Sequence, residues 1–266
     1  MTVTDIAVLA GLGDLAPVGL DALAAVDDLQ IRRDRKYLLA LSDVEAVVAG
    51  IGSGARVLTV DDVRTFRYES VYFDTVDLAS YLGAAYRRPC RFKVRTRTYL
   101  DTSGCMLEVK TRDIRSRTVK HRHPYDIIHR ADLTDAGRQF VASIAQAEDA
   151  ADRLRPTLTT GYRRATLLLP GTVGTAGADA RVTIDVDLTW RRPDGQCARL
   201  DHLALIETKT PGKPCPVDRT LWRLGHRPVA ISKYGTGLAA LCPDLPANKW
   251  NRVLRDHFDW LPTRVM

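Results

Sequence analysis

Few cysteines, a shortage of acids and no long apolar run mark this chain by what it leaves out. The five cysteines, Cys90, Cys105, Cys197, Cys215 and Cys242, form no C-x-x-C pair and have no zinc-like spacing to histidine. An odd count without pairing signals argues against a disulfide framework. No stretch approaches the roughly 18 apolar residues of a membrane-crossing helix, and the first residues show no charged segment leading into an apolar run with a cleavage site. The expectation is a cytoplasmic protein with no membrane segment. Acids are outnumbered: 32 Asp and Glu stand against 39 Lys and Arg, giving a net charge of +7. That balance fits a polyanionic partner such as nucleotide, polyphosphate, nucleic acid or an acidic membrane surface. An Arg- and Ala-rich genome yields the same net charge, so the distribution of the cations has to decide.

The distribution is uneven. In RFKVRTRTYLD every second residue from Arg91 is cationic, giving Arg91, Lys93, Arg95 and Arg97 with Phe92, Val94, Thr96 and Thr98 between them. In an extended chain this places the cations on one face and β-favouring residues on the other. A DTSG turn at Asp101 to Gly104 leads into MLEVKTR, with Glu108, Lys110 and Arg112 on one side and Leu107, Val109 and Thr111 on the reverse. TVKHRH repeats the pattern with Lys120 and Arg122. Paired side by side, these strands gather a row of cations around one carboxylate, which like-charge repulsion disfavours unless an anion sits there.

At 266 residues with 45% hydrophobic content the chain is long enough for a sizeable core. Residues 1–30 read as a peripheral segment with no recognisable chemistry, 31–245 as the domain that carries the cationic strands and 246–266 as a C-terminal tail. IRRDRKYLLALS reads as a strand with Asp34, Lys36 and Leu38 facing one way and Arg35, Tyr37 and Leu39 the other. Ser42 with Glu45 three residues on predicts the N-cap of a short helix. RYESVYFDT is a strand ending in a turn, followed by a short helix with Leu78, Tyr81 and Leu82 on one side. DLTDAGRQFVASIAQAEDAADRL has the spacing of one amphipathic helix with Phe140, Val141, Ile144 and Ala147 as its stripe. LRPTLTTGYRRATLLLP, RVTIDVDLTWRR and ALIETKTPG are further strands, the second with Arg181, Thr183, Asp185 and Asp187 on one face. PVDRTLWRLGHRP is a helix, and Ser232 and Lys233 lead into a final one. No internal boundary is visible. The fold class expected is α+β: one antiparallel β-barrel, closed or nearly so, with flanking helices. Cations lining such an interior imply a water-filled tunnel holding counter-charge.

The ordered series RRDRKYLL, YESVYFDT, RFKVRTRTY, LEVKTR, TVKHR, YRRATL, VTIDVDL, LIETKT and ISKYGTG resembles the catalytic domain of the vacuolar transporter chaperone (VTC) polyphosphate polymerases, within the triphosphate tunnel metalloenzyme (CYTH-like) superfamily, from about Ile31 to Leu241. The resemblance implies transfer of the γ-phosphoryl group of ATP onto inorganic polyphosphate threaded through a basic tunnel, with Mn²⁺ or Mg²⁺. Carried over, Lys36 matches the lysine of the first barrel strand. Arg95 and Arg97 match the arginine pair before the family's aromatic residue, here Tyr99. Lys110 and Arg112 match the pair after the family's acid, Lys120 the next strand's lysine, and Arg164 and Arg181 the later tunnel arginines. Glu207 matches the metal-binding glutamate, and Ser232 with Lys233 the Ser-Lys pair near the tunnel mouth. Lys93, Arg122 and Lys209, on the same alternating faces, join the substrate-binding set. Where eukaryotic members carry another lysine before the serine pair, this chain has Ala230 and Ile231. No SPX-like or membrane segment accompanies the domain, which implies a stand-alone catalytic unit, with no nucleic acid as partner.

Phosphoryl transfer asks the protein mainly to align oxygens and neutralise charge, which assigns Arg95, Arg97, Lys110 and Arg112 to the triphosphate and Arg164 and Arg181 to the transferring centre or emerging chain. An ionised terminal phosphate as acceptor needs no general base, and the histidines show no catalytic arrangement. Arg91, Arg117 and Arg130, taken singly, read as solvated. Glu108, Asp185 and Asp187 read as ion-pair partners rather than metal ligands, and His121 with His123 as an exposed pair. Two other functions share the pattern: hydrolysis of triphosphate or nucleoside triphosphate, favoured by a carboxylate-rich tunnel, and non-catalytic binding of polyphosphate or nucleic acid.

Overall fold

The computed structural model describes residues 11–27, 33–51, 54–115, 117–171 and 179–260. The expected N-terminal segment up to residue 10, most of the small-residue loop and residues 261–266 of the tail lie outside them. The strands are β1 (Ala16–Val18), β2 (Arg33–Ala40), β3 (Arg56–Leu58), β4 (Phe66–Asp74), β5 (Arg91–Tyr99), β6 (Gly104–Arg112), β7 (Thr118–Pro124), β8 (Arg155–Leu169), β9 (Ala180–Arg191), β10 (Cys197–Leu200) and β11 (Leu203–Thr210). The described α-helices are α1 (Leu20–Asp27), α2 (Leu41–Ala49), α3 (Ala79–Ala85), α4 (Asp135–Ala142), α5 (Pro216–Arg223), α6 (Lys233–Leu241) and α7 (Asn251–His257).

Two compact units divide the chain, one from residues 1–66, 162–188 and 200–229, the other from 67–161, 189–199 and 230–266. The sequence shows no boundary between them for a physical reason. Four of the five crossings fall inside β4, β8, β9 and β10, where an unbroken strand pattern leaves no linker composition to read.

In the first unit β11 pairs antiparallel with β2 on one side and β9 on the other, and β3 pairs with both β1 and the end of β8. One face of these strands carries Tyr37, Leu39, Val182, Ile184, Ala204 and Ile206, all buried. They share a core with Val44, Val47 and Val48 of α2 and Val217 and Leu221 of α5. The helix α2 begins two residues earlier than its cap signal predicts. Its N-cap is Ala40, without a side-chain bond, while Ser42 Oγ reaches Asp43 instead.

In the second unit β4, β5, β6 and β7 form an antiparallel meander. The hairpin between β5 and β6 falls on the expected turn, with Ser103 at φ 55°. Val71, Phe73, Val94, Leu107 and Val109 line one face and pack against Val141, Ile144, Ala147 and Leu154. The stripe is as expected but the element is not one helix. It breaks into α4 and a 3-10 helix over Glu148–Arg153, because the small residues between them turn the chain back onto the sheet. The segment expected as a tail contains α7 and buries Trp250, Val253, Leu254 and Trp260.

The α+β class and antiparallel sheet hold, but the closed barrel does not. Among the described residues β2 pairs with β11 alone and β7 with β6 alone, so both remain edges. The strand β7 is short, almost wholly exposed and charged at Lys120 and Arg122, which is the usual character of an edge that resists pairing.

Candidate functional site

The register of the second unit turns the alternating cations into rows. Directly opposed residues of an antiparallel pair share a face, so Tyr72, Arg95, Glu108 and Arg122 form one row across β4 to β7. Lys93, Lys110 and Lys120 form the next, three lysines side by side with no acid among them. Arg91 faces Arg112 beyond that, and burial followed by the charge of Arg112 lowers the proton affinity of Arg91.

Glu108 is the hub. Only 2% exposed, it lies 2.6 Å from Arg95 Nη2, 2.9 Å from Lys120 Nζ, 3.4 Å from Arg122 Nε and 4.0 Å from Arg97 Nε. Burial alone raises a carboxyl pKa, yet the charges of Arg95, Arg97 and Lys120 outweigh it and hold Glu108 well below the usual carboxylate range. Lys120 moves in a direction that a simple ion pair does not produce. Desolvation, with Arg97 and Arg95 adding to it, pushes its ammonium down to about 8 against the pull of Glu108, although the side chain keeps 30% of its exposure. Among the described residues Glu108 is the one carboxylate in these two rows.

Aromatic residues fix the cations in place. Arg95 Nη1 donates to Tyr72 Oη at 3.0 Å. Lys93 Nζ donates to Ser232 Oγ at 3.2 Å and lies 5.7 Å from the ring centre of Tyr234, which stacks on Tyr72 at 5.0 Å. Tyr234 Oη donates to the buried Asp74 at 2.5 Å, and Asp74 also accepts from the backbone N–H groups of Thr75, Ser80 and Tyr81. Ser232 is the N-cap of α6, accepting from Gly235 N, and the Lys233 carbonyl accepts from Trp190 Nε1 at 2.7 Å. Two glycines make this seat possible. A Cβ on Gly235 would lie 2.2 Å from Trp250 and one on Gly237 2.0 Å from Trp190. Tyr72, Tyr234 and Asp74 were missed as contributors; the signal available was the period of YESVYFDT, which puts Ser70, Tyr72 and Asp74 on one side.

In the first unit the polar face is equally ordered. Lys36 and Thr183 flank Glu207, Asp34 and Arg181 flank Lys209, and Leu38 and Asp185 flank Leu205. Arg164, expected at the transferring centre, closes its fork on the buried Asp185 at 2.6 and 2.8 Å. Arg163 holds Asp187 at 2.7 Å, and Asp187 adopts φ 54°, a left-handed conformation that aspartate tolerates. Asp185, Asp187 and Glu108 are therefore ion-paired as expected. Behind this face Asp218 accepts from Tyr37 Oη and Thr208 Oγ1, both at 2.7 Å, from Cys215 N at 2.9 Å and from Arg35 Nη1 at 3.3 Å.

Over residues 31–242 the sequence matches the VTC domain. The chain belongs to the VTC domain family. No curated protein matches it. Among solved structures, this VTC domain is similar to a putative adenylyl cyclase, HpAC1 from Hippeastrum, described as having a dominant triphosphatase activity, at 14% identity and TM-score 0.44, over 81% of this chain and 98% of that one. It is also similar to a putative adenylate cyclase from Bacillus halodurans at 13% identity and TM-score 0.39, over 73% and 87% of the two chains. At those values the likenesses carry no functional conclusion. In this VTC domain no described helix is long and apolar enough to cross a membrane.

A divalent metal, expected from the resemblance, has a restricted place here. Among the described residues no three His, Cys, Asp or Glu side chains come together as a cage. Mg²⁺ is commonly held by one or two carboxylates with substrate phosphates completing its shell, and Glu207 beside Lys36 and Thr183 fits a metal that arrives on a triphosphate.

Proposed function

We propose that this VTC domain is a cytoplasmic polyphosphate polymerase, transferring the γ-phosphoryl group of ATP to inorganic polyphosphate. The observation that carries the reading is the Lys93, Lys110 and Lys120 row beside the Arg95, Arg97 and Glu108 cluster, in a chain of the VTC family. Three lysines in register repel one another, and a chain of phosphates supplies negative charge distributed along its length. Arg95, Arg97 and Arg112 offer planar forks that take two phosphate oxygens at once, while the lysines act as point charges along the polymer. Ser232 and Lys233, at the start of α6, extend the same set.

Lys36, Arg181 and Lys209 are the first unit's substrate-binding candidates, with Glu207 as the carboxylate that would hold Mn²⁺ or Mg²⁺; the metal would neutralise charge on the nucleotide's phosphates. Arg164 acts through Asp185, holding the polar face of β9. The acceptor is an already ionised phosphate, so this chain's residues align and neutralise rather than remove a proton. Glu108, Asp185 and Asp187 are engaged by arginines, which supports an anionic acceptor over an activated water.

Purified protein incubated with ATP and Mn²⁺, followed by separation of long-chain polyphosphate from orthophosphate, tests the proposal. Long chains are expected. Orthophosphate alone would make the protein a triphosphatase, and unchanged ATP with salt-sensitive polyanion binding would make it a binder.

A further inference from the structure

Ser70 lies on β4 directly opposite Arg97 of β5, so the two side chains share the basic face of the second unit. Ser70 is 1% exposed, and its hydroxyl makes no hydrogen bond among the described residues. Arg97, with its side chain 11% exposed, leaves its Nε–H in the same condition. The nearest carboxylate is Glu108, 4.0 Å from Arg97 Nε, beyond hydrogen-bonding reach. Folded proteins rarely keep a buried donor unpaired, because its desolvation is then uncompensated. Here two occur as cross-strand neighbours, with side-chain roots only about 5 Å apart.

Together they describe a receptor for an acceptor atom. A hydroxyl and a guanidinium N–H on one side of a sheet can converge on a single oxygen about 2.9 Å from each. Arg95, in the adjacent row, adds charge without competing for that oxygen, since its own groups are directed to Glu108 and Tyr72. Neutral acceptors would satisfy the hydroxyl but not the cation.

We infer that Ser70 and Arg97 jointly hold one non-bridging phosphate oxygen, which makes Ser70 a substrate-binding residue that no charge pattern reveals. The inference rests on the proposed function in placing phosphates on this face. It deepens that reading by naming a neutral donor that fixes where along the face a phosphate stops.

Inorganic tripolyphosphate is the probe, titrated calorimetrically into the full chain without nucleotide, alongside thermal unfolding. Ser70→Ala is expected to weaken binding about tenfold while leaving Tm unchanged or raised, since it removes an uncompensated hydroxyl. Arg97→Lys keeps the charge and removes the Nε–H. It is expected to weaken binding by a similar factor, with the salt dependence unaltered. A lowered Tm with unchanged affinity in Ser70→Ala would make the hydroxyl purely structural and overturn the inference. Wild-type protein that fails to bind tripolyphosphate at all would overturn the phosphate reading of the face itself, an outcome distinct from a variant that binds as well as wild type.

Discussion

Glu108 of β6 stands opposite Arg95 of β5 and is the one carboxylate in its row, with Arg95 Nε at 2.7 Å and Lys120 on its other oxygen at 2.9 Å. It draws Arg95 and Lys120 together, and under the proposed function it would compete with a bound phosphate for them. Replacing it with glutamine should therefore act in two directions. Glu108→Gln is expected to lower stability toward the bottom of the about 3–5 kcal/mol range for breaking a buried pair, since Arg95 and Lys120 keep some access to water. Tripolyphosphate should restore more Tm to the variant than it adds to wild type. Differential scanning calorimetry with and without the anion reads both effects, and equal ligand-induced shifts would sink the competition argument.

Lys120 gives this face a pH dependence. Burial first, then Arg97 and Arg95, push its ammonium down to about 8, and a bound phosphate would favour the charged form, so binding would raise that pKa and take up a proton. Affinity should be full below pH 8 and fall as pH rises through it, at most tenfold per unit, until the bound-state pKa is reached. A terminal phosphate that loses its last proton in this window gains negative charge and would bind more tightly as pH rises, so a decline belongs to the protein. Lys120→Arg, permanently charged, is expected to flatten the profile between pH 7.5 and about 9.5. Titrations across that range in two buffers of different ionisation enthalpy would also count the proton.

Much of this was legible because strands advertise their faces. RFKVRTRTY and LEVKTR each carry a strict period of two, and the register between them follows once the DTSG turn is placed, so Lys93 meets Lys110 as the pattern implies. Three features were not legible. Closure of the barrel depends on whether β2 and β7 find each other, and no local pattern encodes a pairing between strands so distant in sequence. The single helix over residues 132–154 failed because an apolar stripe at helical spacing survives a break between α4 and the following 3-10 turn. Ser70 and Asp74 stayed hidden because a neutral hydroxyl and a carboxylate buried against backbone N–H groups give no charge pattern to follow.

Helix α6 tests the packing side of the site. Gly237 meets Trp190, whose indole N–H holds the Lys233 carbonyl, so there is no room for a methyl at that turn. Gly237→Ala should displace the tryptophan or the helix and cost about 1–3 kcal/mol, the usual penalty of overpacking. The start of the helix would shift with it, moving Ser232 away from Lys93. Chemical denaturation gives the stability change. A loss of tripolyphosphate affinity beyond that of Ser232→Ala alone is the expected second signature, and an unchanged Tm would show that the seat is looser than the structure indicates.

Asp218 of α5 is 0% exposed and collects donors from residues on either side of the first unit's candidates: Arg35 and Tyr37 flank Lys36, and Thr208 follows Glu207. Because successive side chains on a strand point to opposite faces, gripping the backs of β2 and β11 sets how their front residues are presented. Asp218→Asn keeps the size of the side chain but replaces one accepting oxygen with a donor and removes the charge opposite Arg35. A loss of about 3–5 kcal/mol is expected, the range for breaking a buried ion pair. Tyr37→Phe removes one bond only and should cost about 1 kcal/mol. If the network positions Lys36 and Glu207, Tyr37→Phe will lower kcat for ATP more than it raises KM, at a temperature where the variant is fully folded. Stability loss with unchanged kinetics in Tyr37→Phe would confine Asp218 to holding the fold.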